Sequence, residues 1–146
     1  MTQRRLARES AVEVLYRLDL VGDEPEDTIQ EICARKNPSE EAETYLRRLV
    51  QTVENHRREI DLTLRRHLKH WDLERLTFLD RAVLRIGCAE ILYFNDVPPK
   101  VAINEAVEIA KKFGEDRSGK FVNGVLDSVF RASGRHSEKG EANEKP

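Results

Sequence analysis

Arginine, lysine and aromatic side chains occur together in two short stretches near opposite ends of the chain, and they are the residues best suited to chemistry. The first stretch contains Arg4, Arg5, Arg8 and Tyr16, and the second contains Phe113, Arg117, Lys120 and Phe121. Guanidinium and ammonium groups neutralise phosphates, while aromatic faces stack unpaired bases. A helix N-terminus near Ser118 would add backbone N–H groups that point at a phosphate. This combination is typical of sites that hold single-stranded RNA.

A simpler interpretation of the same residues stays open. Composition by itself favours a solvated arginine cluster at the chain terminus, with Phe121 in the hydrophobic core. A third basic stretch, residues 65–70, is as cationic but has only Trp71 beside it as an aromatic. For that stretch a solvated surface is the better interpretation.

Residues 114–120 have the spacing GxxxxGK, which is the body of a phosphate-binding P-loop. That motif requires a Ser or Thr next, to ligate magnesium, and a β-strand before it. Here Phe121 follows the lysine, and a helical pattern precedes Gly114. The sequence therefore predicts an ordinary turn between two helices rather than a nucleotide site.

Metal and nucleophile patterns are equally weak. His67 and His70 are three residues apart, but no third ligand is nearby and the adjacent basic side chains would repel a cation. Cys33 and Cys88 lie in apolar helical patterns without metal-type spacing, so we expect buried, reduced thiols. We predict a protein that is not an enzyme and that has neither a metal nor a cofactor.

A chain of 146 residues fits one domain with a sizeable core. Its 25 basic and 27 acidic residues give a formal net charge of −2, so the total charge gives no sign of nucleic-acid binding. The N-terminus lacks the apolar run of a signal peptide, and no segment reaches membrane-spanning length. These features predict a cytoplasmic protein.

The elements that must position the basic and aromatic residues are helical, since no segment alternates with a period of two. Residues 77–94 have apolar side chains in every direction around a helix, which is the pattern of a buried helix. Thr77 and Asp80 fit its start, and Pro98 with Pro99 prevents its continuation. Glu90 falls between apolar positions, so we expect it to be buried and to need a partner.

Apolar spacings of three and four predict further helices around this central one. They cover residues 2–20, 25–33, 38–68, 99–113 and 117–130, with the third range forming either one helix or two joined near His56. Asn37 is the expected cap of the third helix, and Asp116 or Ser118 that of the last. The prediction is an all-α domain of about seven helices over residues 1–132, followed by a disordered polar tail over residues 133–146.

Four segments resemble one known family. They are RRLARESAVEVLYRLD (4–19), LDRAVLRIGCAEI (79–91), PPKVAINEAVEIAKKFG (98–114) and GKFVNGVLD (119–127). They are similar to the NusB family of transcription antitermination factors, over nearly the whole chain apart from the acidic second helix and the tail. The resemblance implies an all-α fold of seven helices in two small subdomains around a buried central helix, and a role without catalysis.

The resemblance also implies partners. Proteins of this family bind the boxA element of nascent ribosomal RNA leader transcripts, together with NusE, a small-subunit ribosomal protein. With other Nus factors and RNA polymerase, the complex suppresses premature termination. A bridging role of this kind depends on linked binding sites rather than on catalysis.

The RNA-binding regions of the family are the arginine-rich opening helix and the turn before the last helix. They correspond here to Arg4, Arg5, Arg8, Tyr16, Phe113, Lys120 and Phe121. The family often has an acidic residue where this chain has Arg117, and a cation there should favour RNA. NusE docks near the beginning of the central helix, which points to Asp80 and Glu74.

Other residues in the matching segments have a structural interpretation. We expect Gly124 to allow close helix packing, and Asn123 and Glu105 to satisfy buried polar groups such as Arg85. Two further functions also stay open. One is a stand-alone RNA-recognition partner of an rRNA-modifying enzyme, and the other is a helical interaction scaffold or a homodimer that masks its RNA surface.

Overall fold

The computed structural model describes residues 2–135, which form seven α-helices and one 3₁₀ turn and contain no β-strand. The helices are α1 (Gln3–Val21), α2 (Pro25–Lys36), α3 (Glu40–Asn55), α4 (Arg57–His67), α5 (Phe78–Tyr93), α6 (Pro99–Phe113) and α7 (Asp116–Ser133), and the 3₁₀ turn is Leu73–Arg75. The all-α prediction is confirmed. Helix α5 packs against α1, α3, α4, α6 and α7, and α2 packs against α1 and α3. The N-terminal helices α1–α3 and the C-terminal pair α6–α7 therefore meet on α5.

The central helix is buried as its sequence predicts. Every residue from Ala82 to Ile91 is buried. The Thr77 hydroxyl accepts a hydrogen bond from the backbone N–H of Asp80 at 3.0 Å, which caps the first turn. An apolar surface on all sides of one helix requires neighbours on all sides, and this explains why α5 lies at the centre of the fold.

Two charged residues of α5 are buried with partners from other helices. Glu90 is 1% exposed, and its carboxylate accepts hydrogen bonds from Arg8 of α1 and Tyr45 of α3. The expected burial of Glu90 is confirmed. Arg85 donates to both carboxylate oxygens of Asp61, at 2.9 and 3.0 Å, and to Asp19 at 2.9 Å.

Expectations about three residues of the matching segments differ in outcome. Glu105 does contact a buried cation, but this is Arg8, at 3.7 Å, whereas the partners of Arg85 are the two aspartates. The expectations for Asn123 and Gly124 are wrong: both are exposed, and a Cβ atom built on Gly124 would meet nothing within 4 Å. Helix α7 turns another face to the core.

The helix ends differ from prediction by a few residues. Ser39, rather than Asn37, caps α3 by accepting from the backbone N–H of Ala42 at 3.1 Å. Asn37 instead ends α2 in the left-handed region, with φ of 48°. Glu115 caps α7 in a reciprocal arrangement with the Ser118 side chain. The long third region divides at His56 into α3 and α4, which is one of the two predicted arrangements.

Residues 133–135, the beginning of the predicted tail, belong to the folded domain. Helix α7 continues through Ser133, and the Arg135 guanidinium donates to the backbone carbonyls of Glu90, Ile91 and Val97. Residues 136–146 of the predicted tail lie outside the described residues. Within residues 2–135, no helix has both the length and the apolar character needed to cross a membrane.

Candidate nucleic-acid interface

A cleft of about 1300 Å³ lies where α1, the end of α2, residues 71–80 and the α6–α7 turn come together. We call it the aromatic cleft, because five aromatic side chains line it. They are Tyr16, Trp71, Phe78, Phe113 and Phe121. Because these residues come from three separate regions of the chain, namely α1, residues 71–80 and the α6–α7 turn, only the folded protein brings them together.

The rings form two edge-to-face pairs and leave much of their surface in solvent. Tyr16 and Phe78 have ring centroids 6.1 Å apart at an interplanar angle of 87°, and Trp71 and Phe121 are 6.1 Å apart at 74°. Tyr16, Phe113 and Trp71 are 37%, 52% and 59% exposed. Large aromatic side chains are normally covered, so exposed rings that converge on one cleft indicate a surface for flat apolar groups such as nucleobases.

The α6–α7 turn determines where two of these rings lie. Helix α6 ends at Phe113, and α7 begins at Asp116 after only Gly114 and Glu115. At the first turn of α7, Gly119 lets the helices approach closely, since a Cβ atom there would lie 2.7 Å from Lys111 Cγ. The short turn and the close approach bring Phe113 and Phe121 to the same end of the helix pair.

The charges that line the aromatic cleft are balanced. Each of its lysines and arginines has an acidic neighbour: Arg35 and Lys36 contact Glu13, Arg117 lies 3.6 Å from Glu115, and Arg75 lies 3.8 Å from Asp72. Several of these pairs are exposed, and exposed ion pairs are weak. The cleft therefore offers exposed rings for stacking, whereas a phosphate bound there must share each cation with a carboxylate.

Asp80 lies in the wall of the cleft at the first turn of α5. Its Oδ1 atom is buried and has no hydrogen-bond partner among the described residues. Burial raises the pKa of Asp80, although hydrogen bonds from Ser118 and Thr77 act in the opposite direction. Glu74, on the 3₁₀ turn, also lines the cleft and pairs with Arg65. The two residues predicted to bind NusE thus adjoin the aromatic rings.

The structure brings together most of the second predicted stretch with one member of the first. Tyr16, Phe113, Arg117 and Phe121 all line the aromatic cleft. Phe121 is partly buried against the core and also contacts Trp71, so the stacking and the core interpretations each describe part of its surroundings. Lys120 does not line the cleft but is exposed beside Phe121.

The three N-terminal arginines do not line the cleft. Arg4 lies over the Tyr45 ring, 4.1 Å from its centroid, and 3.6 Å from Asp96. Arg5 donates to Glu105 of α6 at 2.8 Å, and this guanidinium lowers the pKa of that carboxyl. Arg4 and Arg5 remain partly exposed, although each has an acidic partner.

The sequence analysis expected Arg8 on an open surface, but the structure buries it. It is 4% exposed, and its Nε donates to both carboxylate oxygens of Glu90 at 3.0 Å. The physical reason is the buried carboxylate of α5, which needs a cation inside the protein, and Arg8 occupies the α1 position that faces it. Burial of Arg8 thus follows from burial of Glu90.

Sequence reasoning missed Trp71 and Phe78 as members of the site. Trp71 was noted only as the aromatic beside residues 65–70, and Phe78 only as part of the central helix. A lone tryptophan in a polar segment between helices is the signal that could have found the first. No comparable signal marks Phe78, because its neighbours in the sequence are those of a core helix.

Residues 114 and 115 join α6 to α7, and residues 116–120 begin α7, which agrees with the predicted helix–helix turn. Among the described residues, no three histidines, cysteines, aspartates or glutamates are grouped closely enough to hold a metal ion. His67 is turned toward α7, where its Nδ1 lies 2.6 Å from the Ser128 hydroxyl.

The chain is similar to known proteins of one family over most of its length. The model of the NusB family matches residues 5–131. The transcription antitermination protein NusB of Dehalococcoides mccartyi strain CBDB1 is 44% identical over 131 residues, which are 90% of this chain and 92% of that protein. The protein of the same name from Bacillus licheniformis is 39% identical over 127 residues, covering 87% of this chain and 95% of the relative.

Solved structures give the same result. T. maritima NusB superposes with a TM-score of 0.87 at 34% identity, covering 97% of this chain and 99% of that one. A chain from the crystal structure of the antitermination factors NusB and NusE in complex with dsRNA superposes with a TM-score of 0.83 at 36% identity, covering 90% and 98%.

Proposed function

The chain belongs to the NusB family, and from this premise we propose that it is a non-enzymatic, RNA-binding transcription antitermination factor that acts with NusE. Its RNA target is the boxA element of nascent ribosomal RNA leader transcripts. Bound there with NusE, and with other Nus factors and RNA polymerase, it helps the polymerase to avoid premature termination. As a transcription factor it works in the cytoplasm.

The aromatic cleft is the observation that carries this proposal. Its exposed rings offer stacking surfaces to unpaired bases, and stacking of one base on an aromatic side chain contributes about 1–3 kcal/mol. Tyr16 and Phe113 are the members best placed for this, because both are exposed and both line the cleft. In a duplex the faces of each base are covered by the bases stacked above and below it, so the cleft favours a single strand.

The arginines of α1 divide into two roles. Arg4 is partly exposed, and a phosphate can compete with Asp96 for it because exposed ion pairs are weak. Arg5 makes two hydrogen bonds to Glu105 in a part-buried pair, so a phosphate there has to displace a stronger partner. Arg8 supports the site indirectly, since its buried contact with Glu90 holds α1 against α5. On α7, Arg117 and Lys120 are exposed and provide further phosphate contacts beside Phe121.

In this proposal NusE docks at the start of α5, with Asp80 and Glu74 as its contacts. Both residues line the same cleft as the aromatic rings. A protein bound there would lie directly beside an RNA strand in the cleft, so that the strand could contact both proteins. Linked contacts act at a high effective concentration, and NusE should therefore raise the affinity for RNA without any chemical step.

Titration of labelled single-stranded boxA RNA, with NusE present and absent and at two salt concentrations, tests this function. We expect weak binding by the protein alone, tighter binding with NusE, and a loss of affinity at the higher salt. A protein that binds NusE but ignores the RNA under every condition would be an interaction scaffold. Size-exclusion chromatography of the same mixtures would reveal a homodimer that converts to a heterodimer.

A further inference from the structure

We propose that the RNA strand held in the aromatic cleft continues over a second surface formed by Arg66, Lys69 and His70, which we call the α4 basic surface. This proposal rests on the proposed function and extends it to the nucleotides that flank the element in the cleft. The α4 basic surface belongs to the basic stretch for which the sequence favoured simple solvation.

Unpaired cations are uncommon in this protein. Among the lysines and arginines within residues 2–135, only five have neither an ion pair nor a hydrogen bond to another residue, and these are Arg58, Arg66, Lys69, Lys100 and Lys120. A cation without a carboxylate partner can bind a phosphate without breaking an existing contact. Two of the five belong to the α4 basic surface.

The α4 basic surface adjoins the aromatic cleft through Trp71. Lys69 and His70 immediately precede Trp71, and consecutive Cα atoms are about 3.8 Å apart, so their backbones lie within about 8 Å of it. Trp71 contacts Phe121, and exposed Lys120 precedes that phenylalanine. The Trp71–Phe121 pair therefore joins the cleft to unpaired cations on two sides.

The charge balance inside the cleft favours phosphate contacts outside it. Every cation that lines the cleft has an acidic neighbour within 4.0 Å. A single strand carries one negative charge per nucleotide, and its binding depends on release of counterions by cations that neutralise phosphates. The rings can hold bases, but the cations that have no acidic partner and could neutralise the RNA phosphates lie outside the cleft.

The helix dipole accounts for only part of this surface. Basic residues in a last helical turn interact favourably with the dipole, and Arg65 and Arg66 are in the last turn of α4. Lys69 and His70 lie beyond the end of α4 and outside that effect. Arg66 precedes His67 and Lys69 follows it by two residues, and both are exposed, so Arg66 and Lys69 form one local patch. In agreement with this, burial lowers the pKa of His67, and the charges of Arg66 and Lys69 add to that effect.

A charge-matched pair of double variants tests the proposal. Arg66→Gln with Lys69→Gln removes one arginine and one lysine from the α4 basic surface. Arg58→Gln with Lys100→Gln removes the same two kinds of unpaired, exposed cation from the first turn of α4 and the first turn of α6. Each variant is titrated with two single-stranded RNAs, a boxA element alone and the same element with flanking nucleotides on both sides.

With the longer RNA, we expect the Arg66/Lys69 variant to bind less tightly and its slope of log K against log salt to fall by about 1.4, at about 0.7 for each lost phosphate contact. The control variant should match the wild-type protein on both RNAs, and the Arg66/Lys69 variant should match it on the shorter one. Equal melting temperatures of all three proteins would show that the fold is intact.

Three results would overturn the proposal, and each is distinct from a failure of the proposed function. The Arg66/Lys69 variant and the control could give the same slope on the longer RNA. Lengthening the RNA could leave the wild-type affinity and slope unchanged. The variant could lose affinity for NusE while keeping its affinity for RNA, which would assign the surface to a protein. If the wild-type protein bound neither RNA, with or without NusE, the proposed function itself would fail.

Discussion

Arg8 lies inside the protein, where it contacts a carboxylate that has almost no access to water. Its Nε is 3.0 Å from both oxygens of Glu90, and the Tyr45 hydroxyl donates to the same group. The sequence predicted that Glu90 would be buried, but it did not predict which residue would accompany it. Arginine is rarely fully buried unless it is paired. The burial of Arg8 could therefore be recognised only once the helix that packs against this flank of α1 was known.

We expect Arg8→Gln to lower the free energy of unfolding by about 3–5 kcal/mol, since it leaves Glu90 as a buried charge without its cation. Arg4→Gln is the matched control from the same helix. Arg4 is 41% exposed on its side chain and lies 3.6 Å from Asp96, so its loss should cost less than about 1 kcal/mol. Urea denaturation of both variants measures the difference. Equal, small effects would show that the Arg8–Glu90 contact does not stabilise the core.

At the scale of the helices, the sequence predicted which segments are helical better than where they end. The apolar spacing of α5 determines both its type and its central position, because an apolar surface on every side has to be covered. The start of α3 was predicted two residues too early, at Asn37, although Ser39 is an equally good capping residue. Asn37 adopts the left-handed conformation that ends α2, and Ser39 caps α3.

Two helical glycines should respond in opposite directions to the same substitution. In Gly87→Ala, the new Cβ would lie 2.4 Å from Cδ1 of Leu126, which is fully buried, so we expect a loss of about 1–3 kcal/mol from overpacking between α5 and α7. In Gly124→Ala, the Cβ meets nothing within 4 Å on an exposed part of α7, and we expect a gain of about 0.5–1 kcal/mol. In urea denaturation, the midpoint should fall for Gly87→Ala and rise for Gly124→Ala. A stable Gly87→Ala protein would mean that the α5–α7 contact is looser than described.

At the scale of the whole molecule, the candidate site is a product of the fold. Tyr16, Phe113 and Phe121 were predicted as site residues, and helix packing places them in one cleft. Trp71 was not predicted, because its contact with Phe121 joins positions 50 residues apart in the chain. The arginine cluster was predicted from local composition. The burial of Arg8 and the ion pairs of Arg4 and Arg5 depend on acids from α5, α6 and the segment between them, which local composition does not contain.

The measurement that tests the central claim most directly is the affinity of single-stranded boxA RNA for a protein with two altered cleft rings. Tyr16→Ala with Phe113→Ala removes two exposed rings from the aromatic cleft. Leu62→Ala with Val101→Ala is the control, because it removes two exposed apolar side chains that do not line the cleft. Fluorescence polarisation gives Kd, and thermal unfolding shows whether each protein is folded.

If the aromatic cleft holds bases, the ring variant should lose about 1–3 kcal/mol for each base no longer stacked. A loss of about 1.4 kcal/mol raises Kd about tenfold. The control should keep the wild-type Kd, and the melting temperatures should stay close to that of the wild-type protein. An unchanged Kd for a folded ring variant would contradict the account, because the RNA would then bind elsewhere on the molecule.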